Sequence, residues 1–127
     1  MNYFVRCMTK NFANFKGRAR RREYCMFNLF VWPLIFGAGG YAIYTSELLK
    51  AQYGTIEGST LSITLPVLII FAVTIIPFYA VTVRRLHDLG LEGSSFNRHD
   101  YVQMFNLFFK EGDLGPNEYG ESPKKSE

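Results

Sequence analysis

No Asp, Glu, Lys or Arg occurs in residues 25–46, a run of 22, or in residues 58–83, a run of 26. A helix needs about 20 apolar residues to cross the hydrocarbon of a bilayer, and both runs meet that length. Their lack of charge speaks against a soluble domain, whose helices and strands interleave apolar with polar residues. It also argues against a proton relay or ion pathway, which buried ionisable groups usually mark. Cysteine is scarce. Cys7 and Cys25 are far apart and both fall on the side read below as cytoplasmic, so neither a disulfide framework nor a zinc motif is expected. The two histidines, His87 and His99, are twelve apart and match no ligand pattern, even with Asp100 beside the second. No nucleophile has a base placed near it. The expectation is a protein without a metal, a cofactor or a catalytic site.

What is present is sharply divided. Backbone polar groups in lipid must be satisfied within their own segment, so each uncharged run is expected to be helical. A buried helical hairpin in a soluble protein would need other chain to cover it, and none is apolar enough. A cleaved signal peptide is a further reading of the first run, with Arg20 to Arg22 as its basic region. The run's length, its extended basic leader and the second span weigh against it. Seven cations precede the first run: Arg6, Lys10, Lys16, Arg18, Arg20, Arg21 and Arg22. The stretch between the runs has Lys50 against Glu47 and Glu57, and six cations follow: Arg84, Arg85, Arg98, Lys110, Lys124 and Lys125. The positive-inside rule puts both ends in the cytoplasm of such a protein.

Along residues 3–15, Phe4, Met8, Phe12 and Phe15 recur at helical spacing, with Arg6, Lys10, Asn11 and Asn14 on other faces. That pattern predicts an amphipathic helix, lying in the headgroup plane or packed back on its own chain. Lys16-Gly17-Arg18 ends it. The first span, about 25–45, contains Trp32-Pro33, a place for a kink. It also carries small residues of which Ala38 and Ala42 form a pair four apart, a surface for docking another helix. The second span, about 61–83, includes Pro66 and Pro77, which membrane helices tolerate. Residues 101–109 are apolar but too short to cross, and suit a second amphipathic segment. Residues 112–120 are turn chemistry, and 121–127 are expected to be disordered. The fold class read here is an all-α membrane protein, a two-span helical hairpin with amphipathic segments at both ends, forming one domain over residues 1–120.

Three separated blocks carry a resemblance. Phe12-Ala13-Asn14-Phe15-Lys16-Gly17-Arg18-Ala19-Arg20-Arg21-Arg22-Glu23-Tyr24 opens the first span, and Arg84-Arg85-Leu86-His87-Asp88-Leu89-Gly90 closes the second. Gly112 to Gly120, then Pro123, ends the chain. In that order they resemble the YhaH/YhaI-like family of small bacterial inner-membrane proteins, defined by a domain of unknown function. The resemblance covers almost the whole chain. It implies an inner-membrane helical bundle and supplies no activity, substrate or cofactor. One departure stands out: family members usually continue the Arg-Arg-Leu-His-Asp block with Ser-Gly-Trp-Trp and further apolar sequence. Here Glu92-Gly93-Ser94-Ser95 follows, which reads as a shortened member.

Two cationic clusters remain as candidate site. Arg84, Arg85, His87 and Asp88 suit an anion clamp in which Asp88 orients His87, or a stop-transfer anchor that sets topology. Arg18, Arg20, Arg21 and Arg22 sit at the same expected membrane face, and each cation near an anionic surface contributes about 1 kcal/mol. Glu23 is placed to pair with Arg84 or Arg85. The expected partners are the bilayer, an anionic phospholipid or another membrane protein, with a homo-oligomer allowed by Ala38 and Ala42. Nucleic acid is not expected, since the cations lie at a lipid surface and no recognition module is visible.

Overall fold

The computed structural model describes residues 3–54, 59–97 and 101–123. Among the described residues four α-helices run in order: α1 (Tyr3–Met8), α2 (Arg21–Tyr53), α3 (Ser59–Asp88) and α4 (Tyr101–Phe109), with a 3-10 helix at Gly93–Asn97 before α4. Among the described residues there is no strand. A single bridge between Asn117 and Gly120 closes a turn. Of the features expected from sequence, His99, Asp100, Glu57 and residues 124–127 lie outside the described residues.

Both α2 and α3 are long and apolar enough to cross a membrane. At about 1.5 Å per residue, the 33 residues of α2 exceed a hydrocarbon core of about 30 Å. Helix α2 continues through Pro33, and α3 through Pro66 and Pro77.

The chain divides into two compact units. One is Leu29–Ile75. It turns apolar side chains outward: Phe36 is 70% exposed, and Leu29, Ile43, Leu68 and Phe71 are also open. Its hydroxyls turn back to their own helices. Thr45 donates to the Tyr41 carbonyl, Ser46 to Ile43 and Thr74 to Ile70, each within 2.9 Å. Polar groups satisfied within the helix and apolar groups facing out suit a lipid solvent. Ala38 and Ala42 are half-buried, and a Cβ built at Gly37, Gly39 or Gly40 meets nothing within 4 Å.

The other unit is Met1–Asn28 with Ile76–Glu127, and it has the opposite character. Its interior holds Phe27, Leu86 and Leu107 together with Arg85, Arg84, Arg18, Glu23 and Asp88. Here the structure corrects one expectation. Residues 3–15 are helical only from Tyr3 to Met8, and residues 9–13 are turn. The Asn11 N–H bonds to the Arg6 carbonyl, a wider loop than an α-helical turn, and Asn14 accepts the Lys16 N–H. Side-chain competition from asparagine is the physical reason the periodicity of Phe12 and Phe15 does not extend the helix. Helix α1 packs on its own chain: Phe4 stacks on Phe27 at 5.9 Å and Cys7 is fully buried.

Candidate functional site

The C-terminal end of α3 organises the polar unit. Gly90, at φ +70°, ends the helix with its own N–H on the His87 carbonyl and the Leu91 N–H on Leu86, a Schellman cap. This leaves Arg84, Arg85 and Asp88 on the last turns of α3, and chain from three directions closes over them. Ala19 donates its N–H to the Arg84 carbonyl, and Asp113 donates its own to Asp88. Gly112 passes so close that a Cβ there would lie 1.8 Å from Asp88 Oδ2. Only glycine fits that approach.

Asp88 is the hub. Its Oδ1 accepts from Arg18 Nε at 3.0 Å and its Oδ2 from Arg85 Nη1 at 2.5 Å, with all three side chains nearly inaccessible. The remaining guanidinium protons go to backbone carbonyls. Arg18 donates to Asp113 at 2.6 Å and Gly115 at 2.7 Å. Arg85 donates to Leu107 at 3.0 Å and to Lys110. Arg21 adds a bond to Phe109. Two arginines thus supply donors to the last carbonyls of α4, which have no partner inside the helix. A third ion pair joins Arg84 Nη1 to Glu23 Oε1 at 2.9 Å, the pairing expected for Glu23. Cys7 sits against both, donating to Glu23 at 3.4 Å and lying 3.9 Å from Arg84 Nη2. Burial, then the neighbouring Glu23 carboxylate, pushes the Cys7 thiol up to about 12.

His87 is oriented differently from the expectation. Asp88 is committed to the two arginines, while His87 Nδ1 faces the Gly17 carbonyl at 3.1 Å. A carbonyl only accepts, so Nδ1 carries the proton. The ring lies on Tyr119 at 3.9 Å and 3°, and Asn117 donates to the His87 carbonyl.

The expected site residues are therefore sorted. A cavity of about 180 Å³ is lined by Arg20, Arg21, Arg22, Arg85 and Asp88 together with Glu111, Gly112 and Pro123. Arg21 and Arg22 are exposed, whereas Arg84 and Arg85 are buried and ion-paired. Arg84 lines a second and larger cavity of about 430 Å³. His87 lines neither. Arg18, grouped from sequence with Arg20 to Arg22, is instead a buried partner of Asp88, and the turns at 112–120 are the partners that the sequence pattern does not assign to the site; the clue was that all three resemblance blocks end on this one cluster.

A family described as "Protein of unknown function (DUF805)" matches residues 12–121. The chain belongs to that family. It is 32% identical over 122 residues to the inner membrane protein YhaI of Escherichia coli K12, covering 91% of this chain and 90% of that one. The YhaI protein of Escherichia coli O157:H7 matches equally. Coverage of 90% means that the shortening inferred from the absent Ser-Gly-Trp-Trp stretch is not a shortening relative to YhaI. No solved structure matches the chain.

Proposed function

We propose that this is a non-enzymatic inner-membrane protein that binds anionic lipid through cations at its cytoplasmic face. In this reading α2 and α3 form a two-span hairpin with both chain ends inside the cell. The observation that carries it is the division of the arginines. Arg18, Arg84 and Arg85 are buried and ion-paired with Asp88 and Glu23, while Arg21 and Arg22 stand exposed at the start of α2. Exposed cations at the end of a spanning helix contribute to attraction for anionic headgroups, and buried pairs hold the fold. The exposed Phe105 and Phe109 of α4, stacked at 5.3 Å, suit contact with the same interface.

The test is extraction of the tagged protein from its native membrane, with mass spectrometry of the lipids and proteins that come with it. Anionic lipid enriched with the natural protein and reduced for Arg21→Ala/Arg22→Ala supports the reading. Equal lipid in both defeats it. A second reading, an accessory subunit docking through the small-residue face, is favoured by the open space at Gly37, Gly39 and Gly40. It predicts a stoichiometric protein partner, lost in Ala38→Leu/Ala42→Leu and kept in the arginine variant.

A further inference from the structure

The larger cavity, about 430 Å³, is walled by residues mostly outside the two clusters singled out from sequence. Five cationic residues line it, Arg6, Lys16, Arg18, Arg20 and Arg84, against one carboxylate, Glu23. Arg18 shares Asp88 with Arg85, and Arg84 is paired with Glu23. Arg6 and Lys16 are exposed and have no ion-pair partner among the described residues. Asn11 and Asn14 add amide groups to the wall. Arg84 brings one further feature: its Nε is buried and has no hydrogen-bond partner in the protein, although both terminal nitrogens are engaged. A buried donor left without an acceptor costs about 1–3 kcal/mol, so the site gains from a ligand that supplies one.

We infer that this cavity is a binding site for a phosphate group, with Arg6, Lys16 and Arg84 as its donors. This deepens the reading of the protein as a binder of anionic lipid and rests on it, but places the discrete site in a cavity that Arg21 and Arg22 do not line. The excess of cations over carboxylates selects an anion. Several donors converging from α1, the turn after it and the end of α3 suit the tetrahedral oxygens of phosphate better than a single carboxylate. The volume is in the range of small-ligand sites and accommodates more than a bare phosphate, as a headgroup or a small phosphorylated molecule requires.

The experiment uses the full chain in phosphatidylcholine nanodiscs, titrated with inorganic phosphate by calorimetry and repeated in nanodiscs containing phosphatidic acid. The site predicts saturable phosphate binding, weakened at least about tenfold in Arg6→Ala/Lys16→Ala by loss of two charge-assisted contacts. The same binding stays within about twofold in Lys50→Ala, an exposed cation that lines neither cavity. The substituted side chains are exposed, and circular dichroism of each variant checks that its helices are retained. If phosphatidic acid suppresses the phosphate signal, the source is a lipid headgroup. If it does not, the source is a soluble phosphate compound, and the site stands in either case. Absence of saturable binding, or binding indifferent to Arg6 and Lys16, overturns the site. If anionic lipid is then still lost with Arg21→Ala/Arg22→Ala, the surface reading survives alone; if not, both fall.

Discussion

Asp88 shows how a motif residue that looks like part of an anion clamp acts as an internal counter-ion. It sits between Arg18 and Arg85, and removing it leaves two guanidiniums buried without a carboxylate. Breaking a buried pair by deleting one partner costs about 3–5 kcal/mol, so Asp88→Ala should markedly lower the unfolding temperature in detergent. A light-scattering or dye-based melt checks this, and an unchanged melting temperature would mean the pairs contribute little. Gly112→Ala attacks the same point sterically, because its methyl would overlap the Asp88 carboxylate. It should destabilise about as much as a severe core change, some 4 kcal/mol or more, in the same melt. Cys7 makes a prediction about pH. Its thiol is held protonated up to about 12 by burial and by Glu23, above the ordinary value of 9.0. The folded state therefore keeps a proton that the unfolded state loses, and stability contributed by Cys7 is present below pH 9 and falls between pH 9 and 12. N-ethylmaleimide at pH 7.5, a condition of about neutral pH where thiolate is the reactive form, should label Cys7 only after denaturation. Rapid labelling of the folded protein would contradict the packing of α1.

At the scale of the elements, the long helices were legible and the polar packing was not. Two charge-free runs longer than a membrane span have one economical solution, and α2 and α3 contain them both. Helix α1 was over-extended because Phe12 and Phe15 continue the helical period while Asn11 and Asn14 redirect the backbone, a competition that periodicity does not register. The pairing of Glu23 with Arg84 was readable from charge at the ends of neighbouring spans. The Arg18–Asp88 contact joins residues 70 apart, and the Arg85 bonds reach 22 and 25 residues ahead to backbone carbonyls. Backbone acceptors carry no side-chain signature, so nothing in residues 107–115 announced where the arginines would go. Helix α4 tests this scale. Leu107 is buried to 1% exposure, and Phe108 meets Tyr24 edge-on at 4.9 Å. Leu107→Ala should cost about 2–5 kcal/mol, whereas Phe105→Ala, on the exposed face, should leave the melt within about 0.5 kcal/mol.

The whole molecule combines two solvents' requirements in one chain: an apolar unit with its side chains outward and a polar unit whose ion pairs are inside. The family link to an inner-membrane protein and the two apolar helices agree with that division. In the proposed reading the buried ion pairs hold the structure while the outward cations supply most of the attraction for the ligand. Native mass spectrometry of the protein released from nanodiscs of mixed phosphatidylcholine and anionic lipid tests it most directly. The natural chain is compared with a variant lacking the outward cations Arg6, Lys16, Arg21 and Arg22, each changed to Ala. Anionic lipid adducts are expected to dominate the natural spectrum and largely vanish from the variant, which stays folded and loses no more in the melt than the exposed bond from Arg21 to Phe109 contributes. Equal adducts on both proteins, or a variant that unfolds, would contradict it.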